Sequence, residues 1–314
     1  MTSGGRRHSG LSGVLVVDKP AGPTSFHVVQ RIRKITGVKK VGHAGTLDPM
    51  ATGVLTVCLG RATKLVPFIQ NGPKVYLGRM VLGMTTDTDD ITGQVTAKRL
   101  NVRLNPEDIV NTAHEFIGRI EQVPPAYSAV KFGGRPAYRL ARRGEKVSLK
   151  SREVVIHELV LTEIQPPLVT FRVRVSKGTY IRSLVADMGR RLNIGACLES
   201  LRRLASEPFT LDKALTLAEV EALAEAGELA DHVITPDQAL SFFMPEVRVT
   251  GELKRTVENG RPLPLSSLDD FEPQPGPVRI RTADENLLAV YEYNPPDRIR
   301  AFECLTPVRI LGRD

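Results

Sequence analysis

A single aspartate in a glycine-bent loop is the residue of this sequence best placed to do chemistry. Residues 42–53 read GHAGTLDPMATG, and Pro49 directly follows Asp48. Glycines permit tight or left-handed backbone, and a proline favours an extended conformation in the residue before it. The loop is therefore expected to be stiff and to present the Asp48 carboxylate. Such a group can act as a nucleophile or as an electrostatic stabiliser without a cofactor.

Apolar segments on both sides are predicted to hold this loop in place. Val54 to Leu59 reads as a buried strand directly after it. Before it, Val14 to Val17 reads as a strand, and Thr24 or Ser25 is a candidate N-cap of a helix that ends before Gly37. These elements would fix the direction in which the aspartate points.

A second residue of chemical interest is an arginine at a predicted helix start. Val169 to Val175 alternates as a strand, residues 177–179 form a turn, and a helix begins near Tyr180. Arg182 then lies in the first helical turn, off the apolar stripe. A positive charge there opposes the helix dipole, a conflict that often marks a functional residue. A surface ion pair with a nearby acid would also explain it.

The motifs argue against several other kinds of site. No Walker lysine follows the glycines of the loop, no Gly-x-Ser-x-Gly elbow occurs, and no His/Cys/Asp spacing fits a catalytic metal. Residues 87–93 are acidic, but counted from Asp87 a calcium loop would need glycine where Thr92 stands and a closing glutamate at the twelfth position, which is absent. Cys58, Cys197 and Cys304 are odd in number and far apart, which argues against a disulfide framework and for a reducing compartment.

The charge balance favours a partner that carries phosphates. The chain has 43 Lys and Arg against 35 Asp and Glu, a net charge of +8. Residues 123–150 combine many bases with glycine, proline, Tyr127 and Tyr138. This segment is either a mobile surface loop or a flap that orders on a polyanion, and the aromatics among the bases favour an RNA-binding flap. No window reaches the length of a membrane span, so we expect a cytoplasmic protein.

The chain of 314 residues is expected to form a large and a small domain. We predict a disordered tail over residues 1–10, a large domain over 11–245 that contains the flap, and a small domain over 246–314. Short, evenly spaced strands favour a β-barrel for the small domain. Within the large domain, Asn105 and Pro106 are predicted to open a helix that runs to about Glu121.

Five separated motifs together resemble a known family. They are DKPAG at 18–22, GHAGTLDP at 42–49, Tyr76 on a predicted strand, SAVK at 128–131 and SKGTYIRSL at 176–184. In this order and spacing they resemble the bacterial tRNA pseudouridine(55) synthases of the TruB type. The C-terminal part resembles, less specifically, the PUA module often appended to such enzymes.

The resemblance implies a fold and a reaction. The fold would be α+β, the pseudouridine synthase fold, with a mixed, mainly antiparallel sheet flanked by helices and a small PUA-like β-barrel. The enzyme would break the N1 to C1′ bond of the T-loop uridine of tRNA, turn the uracil and rejoin it through C5. No metal, nucleotide or redox cofactor and no obligatory protein partner is implied. We expect a monomer that binds the T-arm stem-loop of tRNA.

The resemblance also implies catalytic roles for individual residues. Asp48 would be the catalytic aspartate, Arg182 the guanidinium that keeps its carboxylate ionised, and Asp90 a second acid sharing that guanidinium. Tyr76 would stack on the uracil, and its hydroxyl would assist removal of the C5 proton. Three actions stay open to Asp48: attack on C1′, removal of a sugar proton, and attack on the uracil ring.

Other residues would receive a uridine flipped out of the RNA loop, a movement that costs energy and must be offset by contacts. They are Tyr180 lining the pocket, Leu201 as its apolar floor, His43 in the space that the base leaves, Lys19 with Pro20 bracing the aspartate loop, and Lys131 on the RNA backbone. Each of these residue types is also common in plain packing or solvated positions, so the assignments depend on the resemblance.

Two other functions stay open. A non-catalytic RNA-binding or RNA-folding protein would account for the charge, the flap and the C-terminal module. It would not need Asp48, Tyr76 and Arg182 together, so their joint presence favours an enzyme. The third hypothesis is a related synthase that depends on a guide RNA and on partner proteins.

Overall fold

The computed structural model describes residues 10–145, 147–268, 271–282, 286–295 and 304–311. The predicted tail at residues 1–10 therefore lies almost entirely outside the described residues. A nine-stranded sheet organises the first part of the chain, and a five-stranded sheet organises the rest. None of the described helices is both long enough and apolar enough to span a membrane.

The elements of the first part are short and closely spaced. Its strands are β1 Gly13–Lys19, β2 Val41–His43, β3 Thr52–Leu59, β4 Lys74–Leu82, β5 Met84–Thr86, β6 Val95–Lys98, β7 Gly118–Gln122, β8 Lys131–Phe132, β9 Arg135–Pro136, β10 Arg152–Gln165, β11 Leu168–Val175, β12 Ala196–Ser206 and β13 Phe209–Thr210. Its helices are α1 Ser25–Thr36, α2 Val66–Ile69, α3 Pro106–Glu115, α4 Ala137–Ala141, α5 Ile181–Arg191, α6 Leu217–Ala226 and α7 Pro236–Ser241.

The large sheet has the strand order β1-β3-β12-β4-β11-β10-β7, with β2 paired to β3 and β13 to β12. All of these pairs are antiparallel except β3 with β12. Helices α3, α5, α6 and α7 pack against the sheet. The predicted α+β fold with a mixed, mainly antiparallel sheet flanked by helices is therefore confirmed.

Helix α1 forms where local signals predicted it. The Thr24 side chain accepts a hydrogen bond from the backbone N–H of His27, and Gly37 ends the helix in the left-handed region with φ 70°. Because a serine or threonine cap satisfies a free N–H and glycine enters left-handed backbone without strain, both boundaries follow from the sequence.

Strand β12 joins the two halves of the sheet, although no element was predicted for residues 196–206. It pairs antiparallel with β4 along most of its length and parallel with β3 at Arg202 and Arg203. Its Leu198 lies in one buried cluster with Phe171 of β11 and with Leu184 and Met188 of α5. Strand β12 therefore packs against α5, the helix that contains Arg182, and also pairs with β3, the strand that follows the aspartate loop.

The predicted helix from Asn105 to Glu121 is wrong in its second half. Asn105 caps the helix as expected, but α3 ends at Glu115. Gly118 has φ 104°, a left-handed conformation that breaks the helix. Residues Gly118–Gln122 then pair with β10. Pairing with a distant strand thus outweighed the helical spacing of Phe116 and Ile120.

The segment predicted as a flap, residues 123–150, contains the short hairpin β8–β9 followed by α4. Two guanidiniums, those of Arg139 and Arg142, lie 6.0 Å and 5.8 Å from the centre of the Tyr138 ring. Lys131 is exposed at the start of the hairpin. Its cations and aromatics are therefore available at the surface, and RNA binding by this segment stays a prediction.

The second sheet comprises β14 Glu246–Val249, β15 Leu263–Pro264, β16 Gly276–Thr282, β17 Leu287–Tyr293 and β18 Cys304–Ile310, with α8 Gly251–Glu258 after β14. The strand order is β14-β16-β17-β18-β15. The curled sheet encloses its own apolar cluster, in which Tyr291 is fully buried. This is consistent with the predicted PUA-like barrel. The sequence also predicts a short strand at residues 299–302, which lies outside the described residues. The division at residue 245 stays a prediction.

Candidate active site

Helix α1 and strand β3 hold the part of the loop that precedes Asp48. The Ser25 hydroxyl accepts from the Leu47 N–H at 2.8 Å and donates to the Leu47 carbonyl at 3.0 Å. The Ala44 N–H donates to the carbonyl of Thr56 at 2.9 Å. The residue directly before the aspartate is therefore held on both of its backbone polar groups.

A buried arginine that the sequence analysis did not identify holds the same loop from below. Arg203 of β12 is 1% exposed. Its guanidinium donates to the carbonyls of Val54 at 2.6 Å, Gly45 at 3.1 Å and Thr46 at 3.4 Å. Gly53 lies so close that a Cβ there would stand 2.2 Å from the Arg203 carbonyl oxygen, so glycine is required at that contact. No local sequence signal distinguishes Arg203 from the adjacent Arg202.

Asp48 and Arg182, 134 residues apart in the chain, form a two-point ion pair. Arg182 donates from Nε to Oδ2 at 2.9 Å and from Nη2 to Oδ1 at 3.2 Å. The Arg182 side chain is 4% exposed, whereas the Asp48 side chain is 37% exposed. A bidentate pair fixes the orientation of a carboxylate as well as its charge. Asp48 is thus oriented from inside the protein and open to solvent on its other side.

The remaining donors of Arg182 bind backbone from two other segments. Nη1 donates to the carbonyl of Thr88 at 2.9 Å, and Nη2 donates to the carbonyl of Tyr127 at 3.0 Å. The Asp90 Oδ2 lies 3.6 Å from Nε. One guanidinium therefore joins the aspartate loop, the β5–β6 turn and the start of residues 123–150.

Asp90 is fixed by its own turn as well as by Arg182. Its Oδ1 accepts from the Thr88 hydroxyl at 2.9 Å and from the Thr92 N–H at 3.0 Å. The turn is tied to β12, because the Ile91 N–H donates to the carbonyl of Leu198 at 2.8 Å. The neighbouring Asp89 has a raised pKa because it is buried, although Arg182 acts in the opposite direction.

Tyr76 and Leu201 lie in the buried cluster beside the aspartate loop. Tyr76 of β4 stands between Val173 of β11 and Arg203 of β12. Both Tyr76 and Leu201 share this cluster with Leu47, the residue before Asp48. Tyr180, half-buried, directly precedes α5, and the Arg152 guanidinium lies 4.8 Å from the centre of its ring. Tyr76 and Leu201 thus pack beside the loop, Tyr180 lies at the start of the helix that carries Arg182, and the roles of all three toward a base stay predictions.

Lys19 and His43 flank the loop in different ways. Lys19 is buried and donates from Nζ to the carbonyls of Pro20 at 2.7 Å and Pro49 at 3.2 Å. Burial lowers the pKa of Lys19 to about 8, with Asp48 acting in the opposite direction. Burial and the nearby Arg203 lower the pKa of His43. Lys19 therefore braces the turn after Asp48, while His43 favours a neutral ring.

The structure brings Asp48, Arg182 and Asp90 together through side-chain contacts, and Lys19 joins them through the carbonyl of Pro49. Within the described part of the chain, Lys131 makes no polar contact with these residues and lies outside the buried cluster beside the loop. In that same part, no group of three or more His, Cys, Asp or Glu side chains is placed to hold a metal ion. What the site offers is an oriented, partly exposed carboxylate beside a buried cluster that contains Tyr76 and Leu201.

Comparison with protein families matches two models along the chain. Residues 33–181 match the TruB family pseudouridylate synthase N-terminal domain, and residues 182–241 match the tRNA pseudouridylate synthase B C-terminal domain. A protein of Geobacter sulfurreducens named tRNA pseudouridine synthase B is 44% identical over 252 residues, which cover 80% of this chain and 83% of that protein. A protein of the same name from Bacillus pumilus is 36% identical over 97% of this chain and 99% of its own length.

Two solved structures are similar in fold. A Cbf5-Nop10-Gar1 complex contains a chain that matches with a TM-score of 0.75 and 27% identity, covering 97% of this chain and 86% of that one. An H/ACA RNP bound to a substrate RNA containing 2′-deoxyuridine matches with a TM-score of 0.74 and 26% identity, covering 98% and 86%. Both matches extend through the C-terminal sheet.

Proposed function

The chain belongs to the TruB family of pseudouridine synthases, and on this premise we propose that it isomerises the T-loop uridine of tRNA, position 55, with Asp48 as the catalytic carboxylate. The N1 to C1′ bond breaks, the uracil turns, and a C5 to C1′ bond forms. The proton that C5 loses is balanced by the proton that N1 gains, so no external reagent is consumed.

The observation that carries this proposal is the unequal exposure of the Asp48–Arg182 pair. Arg182 is 4% exposed and Asp48 37%. A guanidinium within hydrogen-bond distance favours the ionised carboxylate. An anion that is charged, oriented and reachable is what attack on C1′, removal of a sugar proton or attack on the ring would each need.

The neighbouring side chains supply the rest of a base pocket. We assign Tyr76 to stacking on the uracil and to assisting C5 proton removal, Leu201 to the apolar floor and Tyr180 to a side wall. A base stacked on an aromatic ring gains about 1–3 kcal/mol. This gain offsets part of the cost of turning a uridine out of a folded loop.

Recognition of the RNA is assigned to the surface around the cleft. His43 fills the space that the base leaves, Lys131 contacts the backbone, and residues 123–150 form the RNA-binding flap. Asp90 holds Arg182, and Lys19 braces the aspartate loop. The PUA-like domain, residues 246–314, is assigned to RNA binding.

We propose that the chain acts alone, as a monomer in the cytoplasm and without a guide RNA. The solved relatives above come from complexes with other components. The support for tRNA is that the Geobacter sulfurreducens protein named tRNA pseudouridine synthase B is 44% identical, against 27% for the matching chain of the Cbf5-Nop10-Gar1 complex.

The test is to incubate the purified chain with an unmodified tRNA transcript and map pseudouridine at each uridine. Asp48→Asn should abolish product while tRNA affinity changes by no more than about threefold, because the amide keeps the shape but cannot act as the anion. Glu115→Gln is the matched control, since Glu115 pairs with Arg191 at the exposed end of the helix that carries Arg182.

Residual activity of Asp48→Asn together with about a tenfold loss of tRNA binding would contradict the catalytic assignment and favour a binding role. A wild-type chain that binds tRNA but forms no pseudouridine would favour the non-catalytic RNA-binding hypothesis. Activity that appears only with a guide RNA and added proteins would favour the guide-dependent hypothesis.

A further inference from the structure

One buried glutamine binds both backbone polar groups of the residue at the start of the arginine helix. Gln122 of β7 is fully buried. Its Oε1 accepts from the Tyr180 N–H at 2.8 Å, and its Nε2 donates to the Tyr180 carbonyl at 3.0 Å. Tyr180 has φ −98° and ψ 113°, extended backbone whose N–H and C=O point to the same side. The side-chain amide of Gln122 therefore pairs with Tyr180 as the backbone of a neighbouring strand would.

An arginine on the neighbouring strand holds the same turn. Arg152 of β10 stands directly opposite Gln122 in the β7–β10 register. Its guanidinium donates to the carbonyl of Gly178 and lies 4.8 Å from the centre of the Tyr180 ring. Because side chains directly opposite in antiparallel strands stand side by side, the register aims both residues at one turn.

This turn sets the first turn of α5 and so the position of Arg182. The helix has no side-chain N-cap. The Tyr180 carbonyl, which Gln122 binds, also accepts the first helical hydrogen bond from the Leu184 N–H at 3.0 Å. The Ser183 hydroxyl donates to the carbonyl of Val123, the residue after Gln122, at 3.0 Å. In place of a cap, the start of the helix is thus anchored to the end of β7.

We infer that Gln122 and Arg152 are positioning residues for the proposed reaction: they fix the start of α5 so that Arg182 meets Asp48 at two points and Tyr180 faces the base. The inference rests on the proposed function. Neither residue touches the reacting atoms. Displacing a catalytic group by about 1 Å can cost about 100-fold in rate, so loss of the anchor should act on the chemical step.

The variants are Gln122→Met, which keeps length but loses both hydrogen bonds, Arg152→Met, and the control Glu121→Gln at the exposed neighbouring position. Single-turnover rate constants on a tRNA transcript should fall about 100-fold for Gln122→Met and about tenfold for Arg152→Met, with tRNA affinity within about threefold. Glu121→Gln should match the wild type. When Arg182→Lys is already present, adding Gln122→Met should lower the rate constant by a further factor of less than about three, because Gln122 acts through that arginine.

Amide hydrogen exchange of the free protein gives a second readout that does not depend on activity. In Gln122→Met, exchange should speed up at residues 180–184 but not at residues 186–191. Unchanged exchange at residues 180–184, or a wild-type rate with normal affinity, would overturn the inference while leaving the proposed function in place. A wild-type chain without activity would refute the proposed function, and the exchange result would still decide whether the anchor exists. If Gln122→Met fails to fold, the rate constant and the hydrogen exchange of Arg152→Met at residues 180–184 test the inference instead.

Discussion

Two arginine–carboxylate networks in this chain use the same chemistry with different exposure. In the candidate active site, Arg182 is buried and pairs with Asp48, whose side chain stays 37% exposed. Between α7 and the second sheet, Arg279 and Arg281 each pair with both Asp237 and Glu246 at 2.6–3.2 Å. There the exposure of the four side chains lies between 10% and 29%.

The difference separates a network that holds a reactive group from one that holds two parts of the chain together. In the second network, two cations face two acids, and both acids are less exposed than Asp48. In the first, a shielded cation serves an acid that faces outward. Unequal burial within an ion pair is therefore a more useful indication of function than the presence of the pair.

The largest effect is expected when the Asp48–Arg182 pair is broken. Arg182→Met should lower the single-turnover rate of pseudouridine formation by about 1,000-fold, because Asp48 loses its orientation and the charge of Asp90 is left without its cation. Arg191→Met, on the exposed end of the same helix, is the control. If the rate of Arg182→Met stays within about threefold of the wild-type rate, the two networks do not differ in function.

The second network should respond in stability instead. Arg279→Met should lower the free energy of unfolding in urea by about 2–3 kcal/mol, since Asp237 and Glu246 then share one cation. The chemical rate of the folded protein should stay within about threefold. Arg248→Met removes an exposed partner of the same Glu246 and should cost less than about 0.5 kcal/mol. Equal losses for both arginines would contradict the structural role of the buried one.

Asp90 should show an intermediate effect. Its Oδ2 lies 3.6 Å from Arg182 Nε, a weaker contact than that of Asp48. Asp90→Asn keeps an oxygen for Thr88 and Thr92 but loses the charge, so the rate should fall by about tenfold. Wild-type kinetics for Asp90→Asn would reduce its role to shaping the turn.

The smallest effect is the pH dependence of the second network. The hydrogen bond from Arg281, with the charge of Arg279, lowers the pKa of Glu246 below its ordinary value of 4.5. The unfolded chain therefore takes up protons first, so this stabilisation is present above about pH 4.5 and is lost as the pH falls through the folded-state pKa. Glu246→Gln should cost no more than about 1 kcal/mol at neutral pH, and its difference from the parent should shrink in acid. A difference that stays constant with pH would contradict this origin.

Features that depend on local sequence could be predicted, and features that depend on distant pairing could not. The ends of α1 follow from Thr24 and Gly37 alone. The strand β7 was predicted as helix, because only its pairing with β10 decides between the two. Strand β12 was not predicted, because the strands with which it pairs, β3 and β4, lie more than a hundred residues earlier in the chain.

The candidate site shows the same division. Asp48 was found from its loop, and its pairing with Arg182 was reached through the family resemblance rather than through periodicity. Arg203 and Gln122 were missed, because each is a buried polar side chain bound to the backbone of a remote segment. No local pattern records which carbonyl a side chain will meet after folding.

The three carbonyls bound by Arg203 have a thermodynamic consequence for the encounter with RNA. Ordering the backbone of one residue costs about 1–2 kcal/mol of conformational entropy, and residues 45–54 lose this freedom when the chain folds. Substrate binding then needs no further freezing of these residues, so the affinity for tRNA does not carry that cost. Residues 45–54 should accordingly show the same order in the free protein as in the complex.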